Sequence, residues 1–214
     1  MQKQKINKLI IGVTGSFGSG KNTVSGIFKS LGAKIIDADA IAHSCIKPDK
    51  QAYRKIIYFF GRDILKPNQE IDRKRLGRLV FADKQLLKKL NSFIHPQIIK
   101  TIRSKINRIK KGVIILNAPL LLEAGLRNMV DKLVVVKIDR RKQLARLSKN
   151  TSLGQEEIIK RIKYQIPLSA KVRLADFIID NGGSIRETHD QVKIIMETLI
   201  PCPPSRVRDQ FFNP

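Results

Sequence analysis

Residues 8–32 read KLIIGVTGSFGSGKNTVSGIFKSLG. A continuous apolar run, Leu9 to Val13, leads into Gly15-Ser16-Phe17-Gly18-Ser19-Gly20-Lys21, and a helical pattern of apolar residues follows. The glycines let the chain curl so that successive backbone N–H groups converge on one place. The N-terminus of the following helix adds partial positive charge there, and the lysine adds a full one. Between a strand and a helix, a glycine-rich turn ending in Gly-Lys is a cradle for nucleoside triphosphate, with Lys21 reaching the β- and γ-phosphates. The candidate nucleotide-binding residues are therefore Gly15, Ser16, Phe17, Gly18, Ser19, Gly20, Lys21, Asn22 and Thr23. A strand–turn–helix glycine cluster can be purely structural, but the Gly-Lys ending at this spacing weighs strongly against that. The position after the lysine normally offers magnesium a hydroxyl; here it is Asn22, with Thr23 one place later. Asn22 and Thr23 are the candidate residues facing Mg2+, which would accompany ATP.

Outward from this loop, short runs rich in Ile and Val recur at Ala33–Ile36, Val113–Leu116, Leu133–Val136 and Phe177–Ile179. Helical patterns separate them. Strands buried on both faces read as unbroken apolar runs, and alternation with helices implies right-handed crossovers and a parallel sheet. The expected fold is a three-layer α/β/α P-loop nucleotide-binding core with a five-stranded parallel sheet, spanning residues 1–40 and 112–200. Residues 41–111 show no convincing strand and repeat apolar positions at three- and four-residue steps, as in FADKQLLKKLNSFIHPQIIKTIRSKINRI, so they form a helical insert. His95-Pro96 marks an expected helix boundary, because proline disfavours helical geometry in the residue before it. Residues 201–214, PCPPSRVRDQFFNP, are expected to be a loose tail.

The 42 Lys and Arg against 18 Asp and Glu give a formal net charge of +24, a field that favours anionic partners. The basic residues are spread along the chain and aromatics make up only 6%, which fits a lysine-rich solvated surface better than a dedicated nucleic-acid face. Cys45 and Cys202 lie far apart, and the three histidines add no ligand spacing, which argues against a zinc site or a disulfide framework. No apolar run is long enough for a membrane span, and MQKQKINK is not a signal peptide, so a cytoplasmic location is expected.

After the second strand stands Asp37-Ala38-Asp39-Ala40-Ile41-Ala42-His43, in the region where open α/β sheets bind ligands. In phosphoryl transfer to a hydroxyl, a carboxylate can accept the proton and orient the attacking oxygen. Either aspartate could do so, and either could instead only cap the next helix. The ordered segments IGVTGSFGSGK, IIDADAIAH, HPQI, PLLLE, QLARL and ADFIIDNGGS, from about Ile10 to Ser184, resemble the dephospho-CoA kinase family. The resemblance implies ATP-dependent phosphorylation of the ribose 3′-hydroxyl of dephospho-CoA, with those two small molecules as partners. It implies Asp39 as general base, Lys21 on the ATP phosphates, Arg146 as a cation near the transferring group, and a lid over about 146–165. It further implies an acceptor-binding role for the insert, substrate contacts at Asp37, Asp39, His43, His95 and Pro119, and a place near adenine for Asn181. Pro119 and Glu123 could equally shape the loop after the third strand, and His95 could be structural.

Two further departures stand out. Asn117 occupies the end of the third strand where the family often has Asp, and Asn150, beside Lys149, replaces a second lid arginine. Competing readings are a P-loop kinase of another small acceptor, such as a nucleoside monophosphate, and a non-enzymatic RNA-associated P-loop protein.

Overall fold

The structure is a computed structural model, which describes residues 8–151 and 154–200. The tail at 201–214 lies outside the described residues, as does the Asn150 side chain. The described residues divide into two compact units, those up to 36 together with those from 109 onward, and residues 37–108.

The first unit is built on β1 (Leu9–Gly15), α1 (Lys21–Ser30) and β2 (Lys34–Asp37), the last of which ends at the boundary. The sheet is completed by strands from the distal half of the chain. The second unit supplies α2 (Ala38–Cys45), α3 (Gln51–Phe60), α4 (Arg73–Ala82) and α5 (Lys84–Arg108). The first unit then resumes with β3 (Val113–Asn117), β4 (Lys132–Lys137), α6 (Arg140–Asn150), α7 (Gln155–Lys163), α8 (Leu168–Arg173), β5 (Phe177–Asp180) and α9 (Ile185–Leu199).

The five strands lie in the order β2-β3-β1-β4-β5, the five-stranded parallel α/β sheet expected from the apolar runs. β1 sits centrally, with Leu9 opposite Val113 on one side and Ile11 opposite Lys132 on the other. Its phosphate loop therefore opens at the carboxyl end of the sheet, flanked by the ends of β3 and β4. One face packs Ile11, Val13, Val113, Ile115, Val134 and Val136 against Val24, Ile27 and Phe28 of α1 and Val192, Ile195 and Met196 of α9. These side chains are almost wholly removed from water, a burial that contributes on the order of 1.5–3 kcal/mol for each large aliphatic or phenyl group. On β1, Gly12 leaves room for the side chains of the segment after β3. A Cβ there would lie 2.6 Å from a Leu121 methyl and 3.1 Å from Val130.

The second unit is helical, with its core formed by Ile56, Ile64, Ile71, Leu76, Val80 and Leu90. An isolated antiparallel bridge between Leu65 and Ile71 is its one extended feature among the described residues. The expected boundary at His95-Pro96 is not there: α5 runs through Pro96 as a continuous helix of 25 residues. Proline withholds one N–H from the Ser92 carbonyl, a local loss. Leu90 on one side and Ile102 and Ile106 on the other are buried, and packing on both flanks holds the helix across the defect.

Candidate active site

Lys21 opens α1, and the residue before it, Gly20, serves as N-cap in the left-handed region at φ 85° with no side-chain cap. The first N–H groups of α1 thus have no capping side chain, which leaves them directed at the loop. Gly20 cannot be replaced in this geometry. A Cβ would meet the Asn181 amide, and the positive φ disfavours any other residue. The Lys21 side chain is buried and folds back over the loop, its Nζ donating to Ser16 O at 2.9 Å and Gly15 O at 3.4 Å. The Lys21 ammonium is thus held at the loop, against its own backbone carbonyls.

The loop is buttressed from three directions. Asn181, just past β5, donates from Nδ2 to Ser19 O at 2.9 Å, and its Oδ1 accepts from Thr188 Oγ1 at 3.1 Å. Both ends of this buried amide are thus engaged within the protein, and Asn181 supports the loop itself. From α6, Gln143 donates to Ser16 Oγ at 3.0 Å and to the Phe17 carbonyl. From beyond α7, Gln165 Oε1 accepts the Phe17 N–H at 2.7 Å, and the Arg161 guanidinium stands 5.7 Å above the centre of the Phe17 ring. Gln143 opens the QLARL segment but was given no role there, and Gln165 carried no signal in the sequence.

Arg146 lies on the α6 face that approaches the loop, its Nη1 3.9 Å from where a Gly20 Cβ would stand. The start of α6 is fixed by Asp139, whose carboxylate accepts from Arg141 N at 2.9 Å and Lys142 N at 3.3 Å. The backbone N–H groups of Lys142 and Arg141 hold the Asp139 carboxyl below its ordinary pKa.

Asn22 and Asn117 form a pair that neither residue's neighbours announce. Asn117 Nδ2 donates to Asn22 Oδ1 at 2.9 Å, and the buried Asn117 Oδ1 has no hydrogen-bond partner. Thr23 is exposed on the first turn of α1. The described residues contain no cluster of His, Cys, Asp and Glu suited to a metal. Pro119 presents its carbonyl to Thr14 Oγ1 at 3.1 Å and to Lys171 Nζ at 3.0 Å.

In the second unit, Asp37 caps α2 by accepting the Ala40 N–H at 2.9 Å, the capping role its position allowed. Asp39 is exposed in the first turn of α2, and His43 follows it by four residues, on the same face of the helix. The His43 ring accepts at Nε2 from the guanidinium of Arg73, the first residue of α4. Arg73 carried no distinguishing signal among so many basic residues. His95 is half-buried on α5, beside a shallow depression lined by Lys88, Asn91, Ser92 and Pro96. Burial lowers its pKa.

Comparison with known proteins identifies the lineage of this arrangement. A dephospho-CoA kinase of Carboxydothermus hydrogenoformans is 44% identical over 191 residues, covering 88% of this chain and 93% of the relative. The solved dephospho-CoA kinase of Campylobacter jejuni superposes with a TM-score of 0.65 at 33% identity, covering 89% of this chain and 97% of the other. A Thermus thermophilus protein of known structure gives a TM-score of 0.80 at 28% identity, covering 91% of this chain and 99% of the other. With the dephospho-CoA kinase family model matching residues 9–187, the phosphate loop, the Asp37–Asp39 segment and the α6 basic face all fall within the match, and the chain belongs to that family.

Proposed function

We propose that Lys21, Arg146 and Asp39 carry out the family's reaction in this chain, the ATP-dependent phosphorylation of dephospho-CoA to CoA. The observation that carries this reading is the loop itself. Lys21 Nζ is held on the Ser16 carbonyl above the uncapped N-terminus of α1, within a chain that matches the family from residue 9 to residue 187. The loop N–H groups and Lys21 hold the ATP phosphates, and their preorganised charge stabilises what accumulates on the transferring group. Arg146, at the same loop, offers a planar guanidinium that can grip two phosphate oxygens at once. Asp39 takes the proton of the ribose 3′-hydroxyl and orients its oxygen for attack, while Asp37 holds the start of α2 in shape.

Magnesium fits the residues present. It is satisfied by phosphate oxygens and water with one or two protein oxygens. Asn22 Oδ1, the Thr23 hydroxyl and the unpartnered Asn117 Oδ1 are neutral oxygens of suitable kind. Asn22 and Thr23 would hold the ion, which when bound neutralises phosphate charge. No helix among the described residues is long and apolar enough to cross a membrane.

The test is direct: incubate the protein with ATP, magnesium and a panel of dephospho-CoA, AMP, CMP and shikimate, then identify the phosphorylated product. CoA as the product is expected. Phosphorylation of a different acceptor, or of none, would overturn the assignment.

A further inference from the structure

Lys171, on α8, is fully buried. Its Nζ lies 2.8 Å from Glu123 Oε1 and donates to Pro119 O at 3.0 Å. The same Pro119 carbonyl accepts from Thr14, the residue immediately before the phosphate loop. The same Glu123 oxygen accepts the Ile166 N–H at 2.9 Å. Ile166 is the neighbour of Gln165, whose Oε1 takes the Phe17 N–H inside the loop. One buried ammonium therefore closes a ring of contacts: the end of β1, the loop after β3, the segment after α7, and back to the phosphate loop.

A buried charge is expensive unless paired and hydrogen-bonded, so this lysine has one well-defined position. That position fixes Ile166 through Glu123 and fixes Thr14 through Pro119. Gln165, which addresses Phe17, leaves from the segment so fixed, and Arg161, over the Phe17 ring, lies near the end of α7 just before it. A leucine or methionine at 171 could fill the space but could not tie the three segments together.

We infer that the Lys171–Glu123 ion pair is a positioning device that sets the segment between α7 and α8 against the phosphate loop, with Gln165 as its terminal contact on Phe17. The inference rests on the assignment of the loop to ATP, because the consequence of losing register is a misplaced catalytic surround. The pair does not touch substrate. Its loss slows turnover while leaving recognition of the acceptor largely intact.

The test combines Gln165→Leu, which cuts the last link at a partly exposed side chain, with Lys171→Met, which removes the anchor. Amide hydrogen exchange, thermal unfolding and steady-state kinetics with ATP and dephospho-CoA are measured for each. Gln165→Leu is expected to keep the wild-type melting temperature, to exchange the Phe17 amide about tenfold faster or more, and to lower kcat by roughly tenfold with KM for dephospho-CoA within about twofold. Lys171→Met is expected to accelerate exchange at Phe17 as well as Ile166, although Lys171 hydrogen-bonds to neither. If Lys171→Met does not fold, Glu123→Gln takes its place, since it removes the charge but keeps an oxygen for Ile166. Wild-type protection of the Phe17 amide in the anchor variant, or wild-type kcat in Gln165→Leu, would overturn the inference. The exchange arm reads the coupling in the unliganded protein, so it stays decisive even if the acceptor is not dephospho-CoA.

Discussion

Asn22→Ala tests whether the paired amides of Asn22 and Asn117 act as a unit. In the native site Asn117 is only 4% exposed and spends its Nδ2 on Asn22 Oδ1, while its own Oδ1 already lacks a partner. Removing Asn22 leaves both ends of a buried amide unpaired, a situation that costs about 1–3 kcal/mol. Asn22 is exposed, so water can enter where its side chain stood, and the lower part of that range, about 1 kcal/mol, is expected. For a chain of this length that corresponds to about 2–4 °C in Tm. Alanine also raises helix propensity within α1, which would mask part of the loss in the single variant. A double-mutant cycle with Asn117→Val removes this ambiguity, because the propensity gain is the same in both backgrounds. In the Asn117→Val background Asn22→Ala should cost about 1 kcal/mol less, since no buried amide remains to be orphaned. Urea denaturation without nucleotide measures all four corners. Equal cost in both backgrounds would show that the pair contributes nothing and would refute the reasoning. Magnesium titration of activity reads the functional side: Asn22→Ala should raise the half-saturating concentration, and Asn22→Ser should largely restore it by returning an oxygen.

Lys21→Ala should reduce kcat by at least about 10²–10³ with the far-UV spectrum unchanged, because it deletes a preorganised charge at the phosphates. Asp39→Asn should lower kcat by roughly 10²–10⁴ with ATP affinity nearly constant, whereas Asp37→Ala should chiefly destabilise α2, by about 1 kcal/mol for a lost cap. Stopped turnover in Asp37→Asn with a normal Asp39→Asn would reverse the two roles. Arg146→Lys should reduce kcat by about tenfold or more, and more than it weakens ATP binding, because a point charge replaces a two-pronged donor. For His95 the folded-state pKa lies below the ordinary value, so the native state disfavours the protonated ring. Its contribution to stability is complete above the unfolded-state pKa and falls away as pH drops below it. His95→Gln should therefore flatten the decline in stability between about pH 7 and pH 5, measured by urea unfolding at each pH.

What the sequence disclosed about this molecule follows from the range over which each feature is written. The five strands were legible because each is a local apolar run, and the differences at their carboxyl ends are instructive. β1 extends to Gly15, β2 to Asp37, β3 to Asn117 and β5 to Asp180, one or two residues past the apolar run. At these ends the ladder continues through polar residues, since the backbone pairs regardless of side chain and the site lies on that side of the sheet. The phosphate loop was legible for the same reason: its glycines, Lys21 and the helix start are contiguous. Pro96 misled because a local bias against helix was outweighed by tertiary burial of Leu90, Ile102 and Ile106 on both sides of it.

The remaining determinants are long-range pairings that leave no periodic trace. Asn117 and Asn22 are 95 residues apart, Gln165 and Phe17 148, and Asn181 and Ser19 162. Each of the three joins the loop region to the end of a different distal element, and each partner is an amide side chain without formal charge. That chemistry suits the task. Amides give directed hydrogen bonds that hold a glycine-rich backbone in shape without adding negative charge beside a site that must attract phosphate. On the proposed assignment the charges the reaction needs come from Lys21 and Arg146, which lie at the same loop. An asparagine at 22 and another at 117, which look like defects against the general motif, are of a piece with Asn181, Gln143 and Gln165 around the same loop: neutral amides hold its geometry and leave Lys21 and Arg146 as the cations beside it.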